Sequence, residues 1–233
     1  MSKTVVNITA PFQKPREISQ LVIFNDNEPF ISADMAGKYL NICRRYALHY
    51  GVYLVPSRIV VDNNLHLCLF DPKGNIVGIQ SACRINLSFR EKFERGTDIN
   101  IIETPMGKVF LCVDVDIYDP AIIRRAVMMG AQIIISSQYI DSYQFHKGMI
   151  DSGIWNAAQT NKVLIIGCCN HFKAIAAPMD LTQDGSGYIL HPTNDFSALG
   201  KLFLNKLDRD SNIPNVMQNK DFVLNFSREM LRE

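Results

Sequence analysis

The chain has 233 residues and a mass of 26.4 kDa, enough for one large domain, with 47% hydrophobic and 20% charged side chains. Its 24 basic and 23 acidic residues leave a net charge of +1, which argues against nucleic acid or an anionic membrane surface as a partner. No apolar run has bilayer-spanning length, no signal-peptide core opens the chain, and the six cysteines lack CxxC spacing, so a reducing, cytoplasmic setting is expected.

In chain order, residues 5–10 read as a possible first strand and residues 20–24 (QLVIF) as a buried one. Residues 33–50 place Met35, Leu40, Ile42, Tyr46 and Leu48 along an amphipathic helix. Residues 53–61 and 65–70 follow as two strands joined by Asp62-Asn63-Asn64. The turn Asp71-Pro72-Lys73-Gly74 then leads into a strand over 76–84. Residues 99–103 and 109–115 are strand-like on either side of Pro105-Met106-Gly107. Pro120 suits the first turn of a helix that runs to about Met129 and is stopped by Gly130.

A strand at 132–136, a helix over 148–160 and a strand at 162–168 come next, with Trp155 as a core or interface anchor on the helix. From His171 the chain is richer in Gly, Pro, Asn and Asp, with short strands expected at 187–190 and 201–207. Alternating strands and helices point to α/β, and the clustered hairpins to mixed rather than parallel sheets, in a single domain over 1–233. The five histidines, at 49, 66, 146, 171 and 191, never fall at metal-ligand spacing, so neither a metal nor another cofactor is expected.

Residues 107–131 (GKVFLCVDVDIYDPAIIRRAVMMGA) hold three ordered anchors: Gly107-Lys108, then Asp116 with Pro120, then Gly130-Ala131. Their order and spacing resemble the nucleophile region of the nitrilase, or carbon–nitrogen hydrolase, superfamily, and place the family's cysteine at Asp114. A rival register through Cys112 shifts both outer pairs by two and puts Tyr118 where the proline belongs. Upstream, Cys83-Arg84-Ile85-Asn86-Leu87 is similar to the family's Arg-Lys-x-His-Leu segment, with Arg84 at the lysine and Asn86 at the histidine. Residues 22–26 resemble the strand that ends on the general base, giving Asp26 that place and Glu28 as a substitute. Glu91 matches a further glutamate near the site, and Thr160 stands where the family has a helix-end glutamate. The resemblance covers residues 20–170 well and the C-terminal third loosely.

The resemblance implies a four-layer αββα sandwich with an abbreviated N-terminus, because residues 10–20 are too few for the family's first helix. It also implies pairing through helices, as a homodimer or as a heterodimer with a related chain. Its triad positions fall at Asp26, Arg84 and Asp114, in a pocket lined by Glu91, Asn86, Cys112, Gln138 and Cys168. The family's cysteine attacks the substrate carbon, its glutamate takes the proton and its lysine stabilises the developing charge. A carboxylate is a poor nucleophile toward amides, a guanidinium does not shuttle protons, and Asp shortens the base by one methylene. The expectation is therefore a non-catalytic protein that binds a small molecule or regulates a partner, with Asp114 and Arg84 ion-paired in the former catalytic pocket. Three alternatives stand beside it: Asp114 as a plain helix N-cap, a divergent amidase-like hydrolase with a displaced nucleophile such as Cys112 or Cys168, and a purely structural or assembly role.

Overall fold

The computed structural model describes residues 4–16 and 18–202. The apolar, β-branched runs form two mixed sheets. In the first, β1 (Thr4–Thr9), β2 (Leu21–Phe24) and β3 (Tyr53–Val55) run parallel. Beside β3, β5 (Asn64–Phe70) lies antiparallel to it, to β4 (Ile59–Val61) and to β6 (Ile76–Ser81). In the second, β8 (Gly107–Val113), β9 (Ile133–Ser137) and β10 (Leu164–Cys169) are parallel. They are flanked by antiparallel β7 (Ile101–Thr104) on one side and by β11 (Phe172–Ala176) and β12 (Tyr188–Thr193) on the other. The chain returns through β13 (Ser197–Leu202) to pair with β1.

Period-two alternation sets the layers. On β8, Val109, Leu111 and Val113 enter a core shared with Ile8, Ile23 and Leu67 of the first sheet, which packs the sheets face to face. The alternate residues Phe110 and Cys112 face α2 (Pro120–Met128) and the helical segment made of α3 (Gly148–Ile150), a π-turn (Asp151–Trp155) and α4 (Asn156–Asn161). Val22, Phe24, Leu54 and Phe70, on the outer side of the first sheet, pack against α1 (Ala33–Tyr50). The result is the expected αββα order. No helix lies between β1 and β2 among the described residues, and none anywhere in them is long and apolar enough to cross a membrane.

Several elements differ from the sequence reading. Helix α1 spans the expected residues but buries Ala36, Tyr39, Cys43, Tyr46 and Ala47, leaving Met35, Ile42 and Leu48 about half exposed. Small side chains let the helix sit close to the sheet, and both tyrosine hydroxyls find partners there: Tyr39 accepts the Ser57 N–H and Tyr46 donates to the Gln13 carbonyl. The strand expected over 53–61 breaks at Pro56, which has no N–H for a ladder, so Ser57 and Arg58 leave the sheet between β3 and β4. Strand β6 ends at Ser81 and β8 at Val113, both short of the expected limits. Strand β11 (FKAIA) was hidden by the polar residues around it, and the end of the strand expected over 201–207 lies outside the described residues.

Candidate functional site

Parallel strands of both sheets point their C-terminal ends to one place, the edge where side chains leave the ladder free to act. Strand β2 leads to Asp26, β3 to Ser57 and Arg58, β8 to Asp114, β9 to Ser137, Gln138 and Tyr139, and β10 ends on Cys168 and Cys169. Asp114 sits at φ +50°, a left-handed conformation that Asp tolerates better than most side chains. This kink opens the 3-10 turn Asp114–Tyr118 and ends the alternation of β8. Cys112 consequently stays in the helix-side core, whereas Asp114 turns toward Arg58.

The Asp114 Oδ1 accepts the Tyr139 N–H at 3.0 Å, and its Oδ2 is buried without a hydrogen-bond partner. Burial pushes this carboxyl up from its ordinary value, with Arg58 the main opposing influence. Arg58 is itself only 2% exposed. Its Nε donates to the Pro29 carbonyl at 2.7 Å, Nη2 to the Glu28 carbonyl at 3.1 Å and Nη1 to Ser137 Oγ at 3.3 Å. Burial pulls its pKa down, and Asp114 is the charge that most strongly holds it up, ahead of Cys168 and Asp26. Each acts electrostatically on the other, but no ion pair closes between them and Asp114 Oδ2 accepts no hydrogen bond. Asp26 completes the arrangement, its Oδ2 accepting from Ser57 Oγ at 2.9 Å and its Oδ1 from the Glu28 N–H at 3.1 Å.

The expected Asp114–Arg84 pair does not form. Asp116 accepts the backbone N–H groups of Cys83 (3.1 Å) and Arg84 (2.6 Å), which fixes this segment beside the elbow. The Arg84 side chain is 54% exposed and binds Asp119, with Nε and Nη2 each 2.6 Å from Oδ2. Asp119, not Asp114, is the N-cap of α2, accepting the Ala121 N–H at 2.9 Å. Burial lifts the Asp116 carboxyl to about 7 despite the N–H groups it accepts.

The remaining expected residues divide. Cys168 is 1% exposed, under the influence of Arg58 and bonded with Ser137, and burial pushes its thiol up to about 11. Gln138 is buried and accepts from Tyr118 Oη at 2.8 Å while donating to Ser136 Oγ at 3.1 Å. Asn86 is buried, donates to the Tyr139 carbonyl at 3.5 Å and accepts the Ser88 N–H, tying its loop to the end of β9. Glu91 is exposed and bonds to none of these groups; Thr160 lies on α4, its hydroxyl bonded to the Asn156 carbonyl. Cys112 is fully buried, its thiol raised well above its ordinary value.

Arg58 is the residue the sequence reading missed. Its one signal is a lone guanidinium directly after Pro56-Ser57 in an otherwise apolar stretch. An aromatic group adjoins the site: Phe30 lies 5.4 Å from Phe89 and 5.0 Å from Phe93, and Phe89 lies 6.3 Å from Tyr139. Among the described residues, no group of three or more His, Cys, Asp or Glu side chains is placed to hold a metal ion. A recess of about 740 Å³ opens at the opposite strand ends, lined in part by Leu164, Tyr188 and Lys201, where His191 pairs with Asp184.

No protein-family model matches the sequence, and no curated protein matches it. Solved structures do. A carbon–nitrogen hydrolase from Helicobacter pylori G27 superposes with a TM-score of 0.74 at 13% identity, over 99% of this chain and 99% of that one. A mutant of the Nesterenkonia AN1 amidase, from the nitrilase superfamily, gives 0.69 at 12% identity over 93% of this chain and 96% of that one. Another mutant of that amidase, carrying the acetamide moiety of fluoroacetamide covalently added at its active-site cysteine, gives 0.70 at 12% identity with the same coverage. At these identities the likeness is one of fold, and the fold of this chain is that of the nitrilase-superfamily amidases and carbon–nitrogen hydrolases.

Proposed function

We propose that this chain is a non-catalytic protein of nitrilase fold, acting through the Asp114–Arg58 site by binding a small molecule, and pairing with a second copy or a related chain. The observation that carries the reading is the chemistry at the strand ends. An acid occupies the left-handed elbow after β8, and none of the six cysteines is both accessible and acidified. Burial raises the thiols of Cys43, Cys68, Cys112, Cys168 and Cys169, and the half-buried Cys83 is still pushed up to about 11. A thiol held in this way is a poor nucleophile at neutral pH.

A divergent carbon–nitrogen hydrolase is the second reading, and one observation favours it: Arg58 and Lys173 both pull the Cys168 thiol down against its burial. The two readings separate in one experiment. The purified protein is incubated with simple amides, nitriles and carbamoyl compounds, and ammonia is measured alongside labelling by a thiol-reactive probe. The expected result is no turnover. Turnover abolished by Cys168→Ala or Cys112→Ala, with Asp114→Ala harmless, would overturn the non-catalytic reading.

A further inference from the structure

We propose a second ligand site, distinct from the Asp114–Arg58 centre: the recess at the opposite strand ends binds an aliphatic carboxylate of medium chain length. The chain lies on the apolar floor of the recess and the head group pairs with Lys201.

The recess holds about 740 Å³, a volume within the range of small-molecule sites. Both sheets build it. Leu164, where β10 begins, and Ala177, just past β11, belong to the core between the sheets, and Ile189 of β12 packs against that core. Val5 and Leu199 come from β1 and β13 of the first sheet, and the loop 180–184 completes the lining. The floor is thus an end of the inter-sheet core left open to solvent, with Leu181, Ile189 and Leu199 only half-buried. Concave apolar surface of this kind is stabilised by an aliphatic chain that displaces its water.

The charges around the recess decide the head group. Asp180 pairs with Lys162 at 3.3 Å, and Asp184 takes the Ser186 N–H at 3.0 Å and His191 Nε2 at 3.3 Å. Both carboxylates are more than half exposed, so water and their own partners screen them from a neighbouring anion. Thr182 Oγ1 is likewise occupied, donating to the Met179 carbonyl and accepting the Gly187 N–H. Lys201 is left: it lines the recess, and among the described residues it has no ion-pair or hydrogen-bond partner. An ammonium has three donors and no acceptor, which matches the acceptor-only head of a carboxylate. An alkylammonium ligand would instead meet two acids already paired and one opposing cation. The lysine and a ligand carboxylate are both charged at neutral pH in their ordinary states, so the pairing needs no shifted group.

Titration calorimetry of the full-length protein at neutral pH with hexanoate, octanoate, decanoate, 1-octanol and octylammonium tests this. Affinity should rise about fourfold for each methylene added from hexanoate to decanoate. Octanoate should bind more tightly than 1-octanol, and 1-octanol more tightly than octylammonium. Lys201→Gln should weaken octanoate at least about threefold and leave 1-octanol unchanged, whereas Ile189→Gln should weaken both. Ile79→Gln, at an exposed apolar position on β6, should change neither. Octanoate that fails to bind, that binds no better than octylammonium, or whose affinity does not change with chain length overturns the proposal, and these wild-type measurements need no variant to fold. Octanoate affinity unmoved by both Lys201→Gln and Ile189→Gln would place the binding elsewhere and overturn it equally.

Discussion

Replacing Asp116 with Asn probes how burial governs the charges around the elbow. The Asp116 carboxyl is fully buried and lifted from 3.8 to about 7, although it accepts N–H groups from Cys83 and Arg84, which favour its ionised form. Because the folded-state pKa lies above the unfolded one, the associated stability is fully present below pH 3.8. It is lost as pH rises to about 7, since the unfolded chain releases this proton first. About three pH units at 1.36 kcal/mol each give roughly 4 kcal/mol, a large share of the stability of an ordinary domain. Asn cannot titrate, and it offers one acceptor where two N–H groups need one, a pH-independent cost of about 1 kcal/mol. Urea denaturation followed by circular dichroism from pH 4 to pH 8 measures both proteins. Asp114 titrates in each, so the difference between the curves isolates Asp116 to first order. The stability advantage of the wild type should shrink or reverse by about 4 kcal/mol between pH 4 and pH 8. Curves parallel to within about 1 kcal/mol would refute the reasoning, because Asp116 would then titrate alike in both states.

Other perturbations give distinct outcomes. Arg58→Ala strips donors from the Glu28 and Pro29 carbonyls and leaves Asp114 without its counter-charge, so it should cost about 3–5 kcal/mol by urea denaturation. Arg84→Ala breaks a pair with Asp119 that is half open to solvent, and the same assay should show a loss below about 1 kcal/mol. Gly167→Ala should lower the thermal midpoint by the equivalent of about 1–3 kcal/mol, because a Cβ there overlaps the Ile154 side chain between β10 and the helical layer. With iodoacetamide and peptide mapping, Cys83 should label first in the native protein, and the five buried cysteines only once the chain is unfolded.

The fold was legible because each layer leaves a periodic trace. The apolar runs 20–24, 65–70 and 132–136 alternate with turn residues and helical stretches, and Pro120 with Gly130 brackets α2 almost to the residue. Local signals failed where neighbours in space decided the outcome. Residues 33–50 read as a helix, yet its buried face follows Ala36, Tyr39, Cys43, Tyr46 and Ala47, not Met35, Ile42 and Leu48, because the side of the helix that meets the first sheet is set by packing rather than by the largest apolar side chains. Residues 53–61 read as one strand, and Pro56 divides it.

The candidate site separates along the same line. Sequence by itself determined that an acid stands at the end of β8, since three spaced anchors set the register at Asp114 without any tertiary information. It could not determine what that acid faces. Arg84 was the natural guess from motif order, but Asp116 captures its backbone and Asp119 its side chain, and both are choices made by the packing of the 81–84 segment on the elbow. Arg58 reaches Asp114 from the other sheet, through a break in a strand 56 residues away in the chain. Charges buried between two sheets are coupled by distance and dielectric, not by sequence spacing, so only the tertiary structure could pair that acid with this guanidinium.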